Sequence, residues 1–300
     1  MTWIEAFVLG VLQGTTEFLP VSSSGHLVIG KELFGIEVHG ASFEVVVHAA
    51  TVLSTITVFL KEIFRIILHL RQEVRYVLLL LLSMLPVLVV GLFFKAQVET
   101  LFGRGLVIVG AMLMVTALLL ILAQAKSNVS AAGASNVSAA GVSTVSSAGV
   151  SNVSSGGVST VSSGGASPVR RTSSLTYKDA FIMGVAQAVA VLPGLSRSGA
   201  TISIGLMLGK ERAEVAKFSF LMVLIPILGE AFLDLMKGGF APEVTGIGVG
   251  ALLIGFVAAY LSGLAACSGM VAFVKRARLW GFALYCALVG ALCLLYHFFI

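Results

Sequence analysis

The stretch that decides the fold is QGTTEFLPVSSSGH at residues 13–26, a polar run inside otherwise apolar sequence. A second stretch, PGLSRSGAT at residues 193–201, has the same character. Proline disrupts a helix and glycine weakens one, so residues 3–33 and 178–209 are too interrupted to form continuous membrane helices. Non-helical backbone at membrane depth is tolerated only inside protein or along a cavity. Each stretch therefore predicts a re-entrant segment, a helix, a break and a second helix that enter and leave the membrane on one side.

The composition is that of a membrane protein. Of 300 residues, 58% are hydrophobic and 11% are charged, whereas soluble domains carry about 25% charged residues. Crossing a bilayer as a helix needs about 20 apolar residues, and six runs qualify: 43–60, 76–95, 105–125, 213–235, 245–270 and 279–299. These runs predict an all-α polytopic membrane protein with six transmembrane helices and lipids as its surroundings. The net charge of +5 is spread over short loops, so we expect no nucleic-acid partner.

A low-complexity segment divides the chain. Between residues 127 and 166 an eight-residue unit of small and polar residues occurs five times, beginning SNVSAAGA. Such a composition buries too little apolar surface to offset the entropy of ordering. We therefore expect residues 127–175 to be a flexible linker between two domains, residues 1–126 and 176–300.

The two domains resemble each other, and the charge distribution predicts that they are inverted repeats. With three crossings per half, the side facing the linker would carry 14 of the 19 Lys and Arg residues: Lys61, Arg65, Arg71, Arg75, Lys126, Arg170, Arg171, Lys178, Lys210, Arg212, Lys217, Lys275, Arg276 and Arg278. By the positive-inside rule that side is the cytoplasm, and both termini lie outside. The re-entrant segments would then enter from opposite sides, and their tips should meet near mid-membrane.

The first break carries an acid, hydroxyls and an imidazole. Gln13 and Glu17 are four residues apart, which places both side chains on one helix face. Ser22 is a natural N-cap for a helix that follows the proline. Ser23 and His26 would share a face of that helix, and a hydroxyl beside an imidazole is typical of an activated nucleophile. Ionisable residues at bilayer depth are costly and indicate function by default.

The second break has the composition of an anion site. Arg197 lies at a predicted helix start among four small residues, Ser196, Ser198, Gly199 and Thr201. Free backbone N–H groups, hydroxyls and a guanidinium together suit a phosphate. Glu17 would repel such a polyanion unless a divalent cation lay between them, and oxygen ligands favour Mg²⁺ or Ca²⁺. A buried Glu17–Arg197 ion pair with close helix packing is the purely structural alternative.

The two stretches resemble the signatures of the undecaprenyl-diphosphate phosphatase family of bacterial membranes, of the bacitracin-resistance type. The resemblance covers the chain except the linker, and the matching positions are Gln13, Glu17, Ser23, His26, Arg197, Ser198 and Thr201. It implies hydrolysis of undecaprenyl diphosphate to the monophosphate and inorganic phosphate in the bacterial inner membrane, recycling the carrier lipid for cell-wall polymers. It also implies a divalent cation, a long-chain prenyl diphosphate substrate and an active site that opens to the periplasm.

The resemblance leaves the chemistry partly open. Gln13 and Glu17 would place the cation, while Ser22 and residues 196–201 would hold the phosphates. Either Ser23 attacks phosphorus with His26 as proton acceptor, or His26 activates water or takes the phosphoryl group itself. Relatives commonly carry Gln at His48, where packing is the favoured role and an extra titrating group the alternative.

Other functions are also open. A transporter or lipid flippase is the main alternative, since inverted repeats with broken helices are common among transporters. The second large class of lipid phosphatases is a weaker candidate, because the position of its second His is Ser203 here. A homodimer is open as well.

Overall fold

The protein is helical throughout the part of the chain that its computed structural model describes, residues 1–36, 42–102, 105–142, 175–236, 247–276 and 279–299. The helices, in chain order, are α1 (Trp3–Phe18), α2 (Ser23–Phe34), α3 (Ser42–Val58), α4 (Leu60–Leu68), α5 (Leu70–Phe93), α6 (Lys95–Phe102), α7 (Leu106–Val142), α8 (Tyr177–Val189), α9 (Arg197–Met207), α10 (Arg212–Met236), α11 (Val249–Arg276) and α12 (Trp280–Phe299).

Both predicted breaks are present, and each is followed by a capped helix. Between α1 and α2 the backbone leaves the helix at residues 19–22, and between α8 and α9 it does so at residues 190–196. Ser22 Oγ accepts from Gly25 N at 3.2 Å, and Ser196 Oγ accepts from Gly199 N at 3.0 Å. A serine N-cap satisfies one of the free N–H groups at a helix start. The predicted cap at Ser22 and the helix start at Arg197 are therefore confirmed.

The starts of the two halves are built alike. α1 begins with a capping box formed by Thr2 and Glu5, and α8 begins with one formed by Thr176 and Asp179. In each, the Thr hydroxyl accepts from the backbone of the acidic residue, whose carboxylate accepts in return from the Thr backbone. Two reciprocal hydrogen bonds of this kind fix where a helix starts.

Several helices are suited to cross a membrane. α5, α11, α12 and the Leu106–Ser127 part of α7 are long and apolar enough, and α3 with α4 makes a fifth candidate bent by 69°. α10 covers the remaining predicted run, residues 213–235. Large apolar side chains face outward, among them Leu92 at 68% and Leu292 at 65% exposure. Such outward surfaces match an apolar solvent, and the chain is a multi-pass membrane protein.

α7 differs from the prediction at its carboxyl end. The sequence places the start of a flexible linker at residue 127, whereas the backbone stays helical to Val142. Adding residues to an existing helix costs far less than starting one, and the first repeats contain several alanines. The remainder of the predicted linker, residues 143–174, lies outside the described residues.

The two halves interlock. α1 packs along α11 of the second half, and α8 packs along α5 of the first half. Both contacts depend on a glycine: a Cβ at Gly10 would lie 2.5 Å from the carbonyl oxygen of Gly255, and one at Gly184 would lie 2.3 Å from that of Ser83. Small residues let helix backbones approach closely in membranes. Each first helix is therefore held by a long helix of the other half, which brings the two breaks together.

Candidate active site

The two breaks touch. Ser198, in the first turn of α9, donates its hydroxyl to the carbonyl oxygen of Leu19 at 3.2 Å. Each break is also anchored to a long helix: Ser196 N donates to Thr116 Oγ1 of α7 at 3.1 Å, and Cys286 Sγ of α12 lies 3.5 Å from Pro20 O. The residues on either side of this contact therefore share one site.

Glu17 is the centre of the first half of the site. Its side chain is 10% exposed, and its Oε2 atom accepts from Gln13 Nε2 at 2.9 Å. The hydroxyl of Ser23 also donates to Oε2. The predicted pairing of Gln13 with Glu17 on one face of α1 is thus confirmed. A carboxylate with two donors aimed at one oxygen is positioned to orient that hydroxyl and to receive its proton.

His26 is not the partner of Ser23, which corrects the predicted hydroxyl–imidazole contact. Its Nδ1 atom lies 2.7 Å from the carbonyl oxygen of Ser22, and its Nε2 atom lies 2.7 Å from the hydroxyl of Tyr285. A carbonyl can only accept, so Nδ1 carries a proton and neutral Nε2 accepts from Tyr285. Both ring nitrogens of His26 are therefore engaged. Ser23, at the start of α2, instead contacts Glu17 near the end of α1.

Ser22 has a strained backbone that sets the direction of Ser23. Its φ is 69°, and among the described residues no other residue except glycine has a positive φ. Such a conformation costs about 1–3 kcal/mol and persists only where neighbours hold it. Its hydroxyl accepts from Gly25 N and its carbonyl oxygen accepts from His26 Nδ1 and His26 N. His26 therefore helps to keep this turn in place.

Arg197 is the charged group of the second break. Within the described part of the chain, the ion pairs do not include its guanidinium. Thr201 is fully buried, and its hydroxyl is engaged with Arg197 O at 2.8 Å and Ser219 Oγ at 2.5 Å. Thr201 thus fixes the start of α9, and Arg197 lies near enough to Glu17 for their charges to interact.

Two adjoining cavities meet at this site. One is polar and is lined by Glu17, Ser22, Ser23, Ser24, Leu195, Ser196, Arg197 and Ser198. The other is mainly apolar and is lined by Glu17, Phe18, Thr51, Val52, Thr55, Arg197, Ser198, Phe220, Val223, Leu224 and Ile227. Glu17, Arg197 and Ser198 belong to both. Four of the predicted site residues line neither cavity, namely Gln13, His26, Gly199 and Thr201.

The residues around Glu17 suit a hard divalent cation. Gln13 is fully buried, and its Oε1 atom has no hydrogen-bond partner among the described residues. Buried polar atoms are nearly always paired, so this oxygen is a vacant acceptor beside a carboxylate. Carboxylate, amide and hydroxyl oxygens are ligands for Mg²⁺ or Ca²⁺. No group of three or more His, Cys, Asp or Glu side chains is arranged for a metal among the described residues, so an amide oxygen would have to contribute.

Two kinds of functional residue escape prediction from sequence. Tyr285 contacts His26 across 259 positions, and a tyrosine in an apolar span is ordinarily an interfacial residue. The apolar wall, including Phe220 and Ile227 of α10, is indistinguishable in sequence from residues that face lipid.

Comparisons with known proteins identify the family of this chain. The family model described as Bacitracin resistance protein BacA matches residues 6–292. An undecaprenyl-diphosphatase of Bacteroides fragilis strain YCH46 is 46% identical over 297 residues, covering 97% of this chain and 96% of the relative. Undecaprenyl-diphosphatases of Christiangramia forsetii and Methanobrevibacter smithii are 39% and 32% identical, with coverage of 96% or more on both sides. The chain belongs to the bacitracin resistance protein BacA family.

Proposed function

We propose that this protein hydrolyses undecaprenyl diphosphate to undecaprenyl phosphate and inorganic phosphate. The observation that carries this function is the junction of a hydroxyl-lined cavity with an apolar one, with Glu17 and Arg197 at the boundary. A prenyl diphosphate has the same division into a charged head and an apolar chain. The name shared by the relatives, undecaprenyl-diphosphatase, supports the same substrate.

The cavities suggest how the substrate lies. The diphosphate would occupy the polar cavity, where Arg197 can give two parallel charge-assisted hydrogen bonds to phosphate oxygens. The first isoprene units would pass between α3 and α10, against Val52, Phe220 and Ile227. The rest of the chain would stay in lipid. Apolar side chains on this path exclude water and strengthen the electrostatic interactions inside the site.

Ser23 is the proposed nucleophile. Its Oγ atom attacks the terminal phosphorus while its proton passes to Glu17 Oε2, the atom to which it already donates. The bond from phosphorus to the bridging oxygen breaks, and undecaprenyl phosphate leaves with that oxygen. Arg197 stabilises the charge that builds on the phosphoryl oxygens. The remaining phosphoryl group is then bonded to Ser23.

Water completes the cycle. A water molecule attacks the phosphoserine, inorganic phosphate leaves, and Ser23 Oγ takes back the proton held by Glu17. His26 acts in this account through the backbone, because its two ring nitrogens hold Ser22 and Tyr285. Direct attack by a water activated by His26 is the alternative, and it would leave no phosphorylated serine. Rapid quenching with substrate labelled in the terminal phosphate separates the two routes.

A divalent cation, Mg²⁺ or Ca²⁺, belongs to this proposal. Glu17 and the unpaired Gln13 Oε1 would hold it, and one carboxylate has enough lone pairs to bind a cation and orient a hydroxyl. When bound, the cation neutralises charge on the diphosphate.

The membrane arrangement is also proposed, with six crossings in two inverted repeats and the linker in the cytoplasm of the bacterial inner membrane. The exchange of first helices between halves, α1 with α11 and α8 with α5, supports repeats related by a two-fold axis. The active site would open to the periplasm.

The test is phosphate release from undecaprenyl diphosphate by purified protein in liposomes, with lipid flipping measured in the same vesicles. We expect metal-dependent release that Glu17→Ala abolishes. Flipping that survives Glu17→Ala in a protein that releases no phosphate would overturn the proposal in favour of a transporter.

A further inference from the structure

His48 of α3 has a buried ring nitrogen that makes no hydrogen bond to the described residues. The side chain is 14% exposed, but Nε2 is buried and, within the part of the chain that the structure describes, unbonded. Leaving a buried polar atom unpaired costs about 1–3 kcal/mol. Gln13, which donates to the same Glu17 carboxylate, has an Oε1 atom in the same condition. Two vacant acceptors beside one carboxylate point to something that binds all three.

The tautomer of His48 follows from its other nitrogen. Nδ1 lies 2.7 Å from the carbonyl oxygen of Glu44, and a carbonyl only accepts, so Nδ1 carries the proton. In the neutral ring Nε2 then presents a lone pair. Histidines that bind metals almost always donate their second ring N–H to a carbonyl or carboxylate, which fixes the ring. His48 already has this supporting bond.

The distance between His48 and Glu17 suits a shared ion better than a direct contact. Nε2 lies 3.6 Å from Glu17 Oε2, whereas hydrogen-bonded nitrogen and oxygen atoms lie about 2.7–3.2 Å apart. Two atoms that each lie about 2.1 Å from one metal ion are separated by roughly 3–3.5 Å. A lone pair facing a carboxylate is repulsive unless a proton or a metal ion lies between them, and a proton would make this contact a plain ion pair.

We propose that His48 is a direct ligand of the divalent cation, together with Glu17 and Gln13, so that this protein has a mixed nitrogen and oxygen site. The inference rests on the proposed function for the presence of a cation. An imidazole ligand favours transition metals over Ca²⁺, which prefers oxygen. His48 also precedes Thr51 and Thr55 on the face of α3 that lines the apolar cavity, so a metal there adjoins the substrate path.

The test uses Mn²⁺ as the probe and the full chain in detergent. Electron spin echo spectroscopy of bound Mn²⁺ should show modulation from a directly coordinated imidazole nitrogen, and labelling histidine with ¹⁵N should change its pattern. His48→Gln should remove the histidine modulation and weaken Mn²⁺ relative to Ca²⁺ at least about tenfold, since even supporting residues are worth that much. His69→Gln is the matched control, because His69 makes the same Nδ1 contact to the carbonyl four residues earlier but is exposed.

Each outcome decides the question. Bound Mn²⁺ that shows no histidine modulation in the ¹⁵N-labelled wild type overturns the proposal without any substitution, and leaves His48 as an ion-pair partner of Glu17. Modulation that persists in His48→Gln also overturns it. Phosphate release from undecaprenyl diphosphate in the same samples separates this result from the proposed function. Release without histidine ligation refutes only the ligand, and ligation without release refutes only the function.

Discussion

Replacing Tyr285 by phenylalanine tests whether α12 holds His26, and through it the first break. The substitution removes the hydroxyl that donates to His26 Nε2 at 2.7 Å. The ring itself should stay, because it stacks on the imidazole with 5.5 Å between centroids and 8° between planes. The change is therefore confined to one hydrogen bond, which makes its magnitude calculable.

His26 is 5% exposed, so water cannot readily replace the lost donor. A buried acceptor left without a partner costs about 1–3 kcal/mol, and we expect Tyr285→Phe to lower the free energy of unfolding by that amount. Because His26 Nδ1 holds the strained Ser22, the turn that aims Ser23 should loosen. A loss of 1–2 kcal/mol at the transition state corresponds to a decrease in kcat of roughly 5- to 30-fold.

The assay is denaturant unfolding in detergent together with steady-state phosphate release. Tyr296→Phe is the control, since Tyr296 lies on the same helix, is 44% exposed like Tyr285 at 43%, and has no hydrogen-bond partner among the described residues. It should change the free energy of unfolding by less than about 0.5 kcal/mol. If the two variants match the wild type and each other in both unfolding and kcat, the positioning role assigned to Tyr285 and His26 is refuted.

Two further substitutions test the second break and the helix packing. Arg197→Ala should lower kcat/KM about 10²- to 10⁴-fold, because two charge-assisted hydrogen bonds are worth about 1.5–3 kcal/mol each. The control, Lys178→Ala, removes an exposed charge and should have little effect on kcat/KM. Gly10→Ala should destabilise the protein by at least about 1–3 kcal/mol, since its Cβ would lie 2.5 Å from the carbonyl oxygen of Gly255, whereas Gly91→Ala fills open space. Equal free energies of unfolding for the two glycine variants would contradict the close packing of α1.

Local chemistry accounts for what the sequence predicts well. The caps at Ser22 and Ser196 depend on residues three positions away, and the contact of Gln13 with Glu17 spans four positions on one helix. A helix start and a one-turn contact are determined by nearby residues, so their patterns can be read directly. The same is true of the long apolar runs that became α5, α11 and α12.

Contacts between distant elements account for what the sequence misses. The partner of Ser23 depends on how the chain turns at the strained Ser22, which no residue pattern encodes. The apolar cavity is lined by residues of α1, α3, α9 and α10, which are far apart in sequence, and most of them look like any lipid-facing run. The bend of 69° between α3 and α4 and the extension of α7 to Val142 also depend on packing and on helix propagation.

The central claim is that the two breaks form one phosphatase site, and phosphate release from undecaprenyl diphosphate by one variant in each break tests it most directly. Ser23→Ala removes the proposed nucleophile of the first break, and Arg197→Ala removes the charge of the second. With both variants shown by unfolding to be folded, each alone should retain less than about 1% of the wild-type rate, because residues that act as a unit fail together. A rate equal to the wild type in either variant would contradict the account.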